Sequence, residues 1–261
     1  MINYKLTALL LGTAATTALV SVNQASADSV SNGTVTFEQS TDGIQVLDPN
    51  DNSKTFTPGS TDGTTNLTDN IDNGLYLAYV PNFNFNTHKV NQIRDKVFFA
   101  NTQAEGRPNF VQVSDLRQKN SNNWKLDVSV GAFTNKNDST GKDTLDGAAL
   151  IFRNVKDQNV TANTTSILTG TTTLGDNFSS LMNGQNAAAN ATTGETAFVM
   201  QADGKSNSLV NGANGTHLLT AGDQSTAAVS VGLYVPRNTQ SATKYDSDIT
   251  WKLALDPTSG N

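Results

Sequence analysis

The chain contains no cysteine and little of what catalytic or metal chemistry requires. Without thiols it forms no disulfide, carries no lipid-modified cysteine and offers no thiol nucleophile, so a stable fold must come from packing alone. It has two histidines, His88 and His217, and neither has the neighbouring ligands of a zinc site or belongs to a Gly-x-Ser-x-Gly motif. We therefore expect no catalytic residue, no metal and no cofactor.

Two weaker chemical patterns are present. Asp143 and Asp146 are close in sequence, but they flank a turn before a strand, where carboxylates commonly cap the turn. The paired carboxylates of a glycoside hydrolase can be far apart in sequence and close in space, so a polysaccharide-processing enzyme stays open as a minor alternative.

Asp48–Ser53 resembles a calcium loop, but Ser53 and Gly59 stand where such a loop needs Gly and Glu. We interpret this stretch as a solvated turn.

Positive charge is also scarce. The formal net charge is −6 and the pI is about 4.8. An acidic protein gains no electrostatic attraction to nucleic acid or to other polyanions, so we expect no nucleic-acid partner. Lys89, Arg94 and Lys96 form one modest basic cluster, which is typical of a solvated face.

A long apolar stretch occurs only at the N-terminus, over residues 6–22. It is followed by Ala25-Ser26-Ala27, the small-residue pattern of a cleavage site. This predicts a signal peptide over residues 1–27 that is cleaved after Ala27, leaving a secreted protein that does not span the membrane. A retained anchor is the alternative, but Thr and Gly dilute the apolar run. Since no hydrophobic tail or basic stop-transfer segment follows, we expect attachment to a cell surface to be non-covalent.

Apolar residues recur in short alternating runs separated by turn residues. Hydrophobic residues make up 36% of the chain, which suffices for a core if each strand buries one face. The pattern predicts an all-β domain, an antiparallel sandwich or barrel-like fold with long loops and at most a short helix between Leu174 and Gly194. The predicted strands cover residues 75–80, 97–100, 110–113, 124–133, 147–153, 166–168, 197–200, 217–219, 228–235 and 245–257.

The N-terminal part differs from the rest in composition. Residues 34–38 alternate as a strand does, and from Asp42 to Asn73 the chain is rich in Asp, Asn, Thr, Gly and Pro, which predicts a long loop. We therefore divide the mature chain into an N-terminal strand with a polar loop extension, residues 28–74, and a main domain, residues 75–261.

Both tryptophans lie in a Trp-Lys-Leu segment, one in mid-chain and one near the C-terminus. In an extended strand Trp251 and Leu253 share one face and Lys252 points to the other; Trp124-Lys125-Leu126 opens a strand of the same kind. The alternation favours a core position for both rings. The alternative is a platform on which the rings stack against the sugar rings of a glycan.

These motifs resemble those of the WxL-domain family, secreted proteins of Gram-positive bacteria that attach non-covalently to the cell wall. The family signature is two Trp-x-Leu motifs, of which the distal one is preceded by Tyr and followed by Pro. The matching positions are Trp124, Leu126, Tyr245, Trp251, Leu253 and Pro257. Residues 79–85 and 111–117 also agree with the family's opening strand and with the approach to its first Trp.

The resemblance implies a non-enzymatic protein of the Gram-positive cell surface that binds peptidoglycan through its WxL domain, together with partner surface proteins. The matching residues would then either hold the fold or contact the wall. An adhesin that binds host or extracellular-matrix proteins through the predicted loop at residues 42–73 is the alternative function.

Overall fold

The computed structural model of the chain describes residues 34–36, 44–65, 71, 73–117, 123–160 and 167–256. The predicted signal peptide, its cleavage site and Pro257 lie outside these ranges. Residues 34–36 belong to a separate N-terminal unit and have no regular secondary structure, and the rest of the strand predicted at 34–38 also lies outside.

Short antiparallel strands make up most of the regular structure, which confirms the predicted all-β class. In chain order they are β1 (Leu47–Asp48), β2 (Asp51–Thr55), β3 (Gly63–Thr65), β4 (Leu75–Pro81), β5 (Lys96–Phe99), β6 (Asn109–Asp115), β7 (Trp124–Val130), β8 (Thr134–Asn135), β9 (Ala149–Arg153), β10 (Val155–Asn159), β11 (Ile167–Leu168), β12 (Thr172–Thr173), β13 (Thr196–Gln201), β14 (Ser206–Gly212), β15 (Gly215–Ala221), β16 (Val231–Val235), β17 (Tyr245–Asp246) and β18 (Ile249–Leu255). Within the described ranges one α-helix occurs, α1 (Asp176–Gln185), and it lies in the region where the sequence predicts a short helix.

Three sheets build the sandwich-like body, and their strand orders are β10-β15-β6-β4-β3, β11-β14-β7-β18 and β12-β13-β9-β16-β5. β7 shows how the sequence produces the core. Trp124, Leu126, Val128 and Val130 are buried, whereas the residues between them are only partly covered. Strands with this alternation place their apolar faces in one main cluster between the sheets.

A second apolar cluster lies on the opposite face of β9. Leu150 and Phe152 point into the main core, while Ile151 points toward α1 and packs in one cluster with Met182. Since successive strand residues alternate faces, one five-residue strand serves both cores. The helix therefore covers a sheet face that would otherwise be an exposed apolar surface.

The stretch from Asp42 to Asn73 differs from the predicted loop. β1, β2 and β3 lie within it, and Val46 and Phe56 are buried in a cluster with Tyr79. The Phe56 and Tyr79 rings meet edge to face with centroids 6.0 Å apart. β3 also pairs with β4. The prediction of a long loop is wrong for these parts, because a few apolar residues anchor an otherwise polar segment.

The calcium-like turn is held by protein groups. Asp48 Oδ1 accepts a hydrogen bond from the Asn50 backbone N–H at 2.9 Å, as in an Asx turn. Asp48 Oδ2 lies 2.8 Å from Arg107 Nε. The Arg107 guanidinium also lies 4.9 Å from the Phe56 ring centroid. Asp48 thus ties the N-terminal hairpin to the body.

A buried ion pair joins β9 to the chain that follows α1. The Arg153 side chain is 3% exposed, and its Nε and Nη2 donate to the two carboxylate oxygens of Glu195 at 2.5 and 2.9 Å. Its Nη1 donates to the Ala189 carbonyl at 2.7 Å. The guanidinium fork is therefore satisfied on both sides, as burial of a charge requires.

We predict that Glu195→Ala lowers the free energy of unfolding by about 3 kcal/mol, because it leaves the Arg153 charge buried without its partner. Urea denaturation followed by circular dichroism measures the change. Lys205→Ala is the matched control: it breaks the exposed Lys205–Asp203 pair and should leave the unfolding midpoint unchanged. A loss for Glu195→Ala no greater than that of the control would contradict the prediction.

Candidate functional site

The two Trp-Lys-Leu segments are neighbours in one sheet. β7 and β18 pair antiparallel, and their register places Leu126 directly opposite Leu253. Trp124 and Trp251 therefore lie on either side of this leucine pair and point to the same face of the sheet. The two Trp-Lys-Leu segments, one from the middle and one from the end of the sequence, are thus adjacent. A local two-fold axis between Leu126 and Leu253 relates one segment to the other.

Trp124 is enclosed in the core. Its ring is 0% exposed, and its Nε1–H donates to the Ala213 carbonyl at 2.9 Å. The His217 ring meets it edge-on, with centroids 5.1 Å apart. Gly212 of β14 lies directly opposite, and a Cβ there would stand 2.1 Å from the indole. Only glycine therefore leaves room for the ring.

His217 is 2% exposed and lies among the buried polar residues of the body. Its Nδ1 lies 2.9 Å from Asp157 Oδ2 and its Nε2 lies 3.1 Å from the Ala213 carbonyl oxygen. Its place in β15 among buried neighbours explains the burial, which no local motif marks.

Trp251 has a different environment because β18 is the last strand of its sheet. It is half-buried, and its ring lies parallel to Phe152, with an interplanar angle of 2° and centroids 6.2 Å apart. The remaining part of the ring lines an open groove of about 1350 Å³. One ring thus contributes both to the core and to an accessible surface.

The groove has an aromatic wall and a polar rim. The aromatic residues are Phe83, Phe85, Phe98, Phe133, Tyr245 and Trp251. The uncharged polar residues of the rim include Asn82, Asn84, Asn86, Gln240, Ser241, Thr243 and Ser247. Apolar platforms combined with amide and hydroxyl groups suit a ligand that has one apolar face and many hydroxyls.

Tyr245 of the distal motif is fixed by hydrogen bonds. Its hydroxyl donates to Asp143 Oδ1 at 2.6 Å and accepts from the Ser241 N–H at 2.8 Å. Burial raises the pKa of Tyr245, and the hydrogen bond to the Asp143 carboxylate raises it further. The phenol therefore stays neutral at physiological pH. Asp146 instead accepts from the Thr144 hydroxyl, so Asp143 and Asp146 have separate structural partners.

A tight turn positions Asp143. The Asp138 carboxylate accepts from the Thr140 hydroxyl at 2.7 Å, from the Thr140 N–H at 2.9 Å and from the Lys142 and Asp143 N–H groups at 2.8 Å. These bonds, led by that of the Thr140 hydroxyl, lower the Asp138 pKa from 3.8 to about 2. An ionised Asp138 thus orders the turn that holds Tyr245.

We predict that this turn keeps its order in mild acid and loses it only near pH 2. Because the pKa of Asp138 is lowered in the fold, its stabilising effect is complete above pH 3.8 and is lost as the pH falls through about 2. Amide NMR signals of Thr140 and Asp143 measure this order. Asp138→Ala should give the disordered signals at neutral pH, and Asp203→Ala, in another exposed turn, should leave them unchanged. Collapse of the wild-type signals at pH 4 would contradict the prediction.

The two tryptophans should differ in their contribution to stability. We predict that Trp124→Ala lowers the free energy of unfolding by about 3–5 kcal/mol, since it empties a sealed site. Trp251→Ala should cost about 1–2 kcal/mol, because that ring is only half-buried. Urea denaturation followed by far-ultraviolet circular dichroism measures both, and equal losses would contradict the assignment.

Two further observations concern the described part of the chain. It contains no group of three or more His, Asp or Glu side chains placed to hold a metal ion. Of its helical segments, none is long and apolar enough to cross a membrane.

Comparison with known proteins gives one match. The family model described as "WxL domain surface cell wall-binding" matches residues 24–257, a range that includes both Trp-Lys-Leu strands and all segments of the groove. No curated protein matches, and no solved structure matches. With both motifs paired in one sheet and nearly the whole length matched, the chain belongs to the WxL family of cell-wall-binding surface domains.

Proposed function

We propose that this protein is a non-enzymatic surface protein that attaches non-covalently to the peptidoglycan of a Gram-positive cell wall, and that the groove beside the distal motif is its binding surface. One observation carries the proposal: Tyr245 and Trp251 line the groove, whereas Trp124 is sealed in the core. The family match supports the cell wall as the target. We further propose that the protein acts after removal of residues 1–27 and alongside partner surface proteins.

The aromatic wall suits the apolar faces of saccharide rings. Trp251 is backed by Phe152, and the Tyr245 hydroxyl is held by Asp143, so both rings are fixed before a ligand arrives. Fixed rings lose little conformational entropy on binding. The glycan of peptidoglycan is a repeating chain of such saccharides. Many weak contacts along it would retain the protein without high affinity at any single site.

The rim offers oriented amides for hydroxyl and acetamido groups. Asn84 Oδ1 accepts from the Asn86 N–H at 2.8 Å. The Asn86 and Asn101 side-chain amides exchange two hydrogen bonds, at 2.7 and 2.9 Å. Phe83 and Phe85 alternate with these asparagines and point into the fold. The segment at residues 82–86 therefore exposes its asparagine side chains to solvent, while its two phenylalanine rings pack against the core.

The charges in the groove favour a neutral ligand over a polyanion. Lys244 is paired with Asp246 at 2.7 Å, and Lys89 and Asp248 add one charge of each sign. A site with balanced charges on a protein of net charge −6 gains little from anionic teichoic polymers. This supports the glycan of peptidoglycan as the contact.

Two titratable residues of the groove, His88 and Tyr245, are held by structural contacts, which supports a non-enzymatic role. His88 stacks on Phe98 with ring centroids 4.0 Å apart, and its Nε2 lies 2.5 Å from the Phe85 carbonyl oxygen. Asp143 is engaged by Tyr245. The adhesin alternative depends on a free loop at residues 42–73, but β1, β2 and β3 and the buried residues Val46 and Phe56 anchor parts of that stretch.

The test is co-sedimentation of the mature protein with purified sacculi from which protein and teichoic polymers have been removed. We expect the wild type to sediment and Trp251→Leu, which keeps apolar packing but removes the aromatic face, to bind about tenfold more weakly. Soluble oligomers of N-acetylglucosamine should compete with the sacculi. The matched control is Trp124→Phe, which alters the other motif away from the groove and should retain binding.

Near-ultraviolet circular dichroism establishes that each variant is folded. Wild-type protein that remains in the supernatant would refute wall binding. Wild-type affinity in folded Trp251→Leu would refute the groove as the site.

A further inference from the structure

Among the described strands, β18 has a neighbour on one edge, β7, and none on the other. The Gly131 N–H donates to the Asp248 carbonyl at 2.9 Å, which identifies Asp248 as a residue bonded toward β7. Because these bonds alternate along an antiparallel ladder, Ile249 and Trp251 direct their N–H and C=O groups to the open side. The groove passes this part of the strand, since Asp248, Ile249 and Trp251 all line it.

Two charges on the outer face of this edge have no ion-pair partner within the described ranges. Lys252 is exposed and lies opposite Asp127 in β7, but Asp127 is engaged by Lys125 at 3.6 Å. Asp248 is also exposed. Both lie on the same face as Thr250, because they are separated by two positions each. The edge thus presents a cation and an anion at equal distances from Thr250.

We propose that β18 pairs with β18 of a second copy of this chain, antiparallel about a two-fold axis at Thr250. In this register Asp248 faces the second copy's Lys252, and Ile249 faces the second copy's Trp251. Thr250 faces its own equivalent. Opposite charges, an aromatic ring with a β-branched side chain, and two threonines are the cross-strand pairs that stabilise antiparallel strands.

The charges select this register over its neighbours. An axis at Lys252 would set the two ammonium groups against each other, which is destabilising. An axis at Trp251 would place Lys252 opposite Thr250, so the Lys252 ammonium group would have no carboxylate opposite it. Only the axis at Thr250 pairs both charges of both copies, so the edge is self-complementary, as an isologous dimer requires.

The dimer would satisfy the open backbone groups of Ile249 and Trp251 and make one sheet continuous across both copies. Because Ile249 and Trp251 also line the groove, dimerisation would restrict access to the surface proposed for wall binding.

The test is sedimentation equilibrium of the mature protein over a range of concentrations. We expect a reversible dimer in the wild type. Lys252→Asp leaves two carboxylates on each edge, and Asp248→Lys leaves two ammonium groups, so each variant alone should raise the dimer dissociation constant on the order of tenfold or more. An equimolar mixture of the two variants should form a heterodimer, because each edge then meets the opposite charge at both positions.

Lys205→Asp is the matched control, since it makes the same charge change at an exposed position outside β7 and β18 and leaves the Lys125–Asp127 pair intact. It should dimerise as the wild type does. A wild type that stays monomeric at millimolar concentration would overturn the proposal, as would either single variant dimerising normally. A mixture of the two variants that remains monomeric would overturn the register.

Discussion

The ladder between β7 and β18 is the constraint on which the rest of the structure depends. It joins the two halves of the family signature, with Leu126 opposite Leu253, and closes the main core over Trp124. It also sets the position of Trp251 beside the groove. The fold and the proposed binding surface therefore share one set of backbone hydrogen bonds.

The two similar motifs acquire different roles because one strand is interior and the other is an edge. β7 has β14 on one side and β18 on the other, and Gly212 leaves the space that the Trp124 ring occupies. Among the described strands β18 has a neighbour on one side only, and the Trp251 ring is partly covered by Phe152 and partly lines the groove. Position in the sheet, rather than the motif itself, decides whether an indole is buried.

The local sequence pattern predicted most of the strands, the helix region and the inward alternation of β7, because each of these depends on the order of neighbouring residues. It missed β14, whose sequence is largely Ser and Asn and whose pairing with β7 is its main support. It also missed the burial of Val46 and Phe56, single anchors within a polar stretch.

The candidate site was only partly predictable for a related reason. Both tryptophans and Tyr245 were visible in the sequence, but much of the groove is built by irregular segments at residues 82–90 and 240–244, to which no periodicity applies. The contact between Tyr245 and Asp143 joins residues far apart in the chain. Periodicity shows which side chains point inward, but not which strands or loops meet.

The distance in sequence between β7 and β18 has a consequence for biogenesis. A polypeptide is synthesised from its N-terminus, so β7 is made long before its partner, and its unpaired side stays available for wrong pairings while the intervening half is completed. The nascent chain cannot reach its final tertiary structure until β18 has been made. This sheet is therefore completed only after almost all of the described chain has been synthesised.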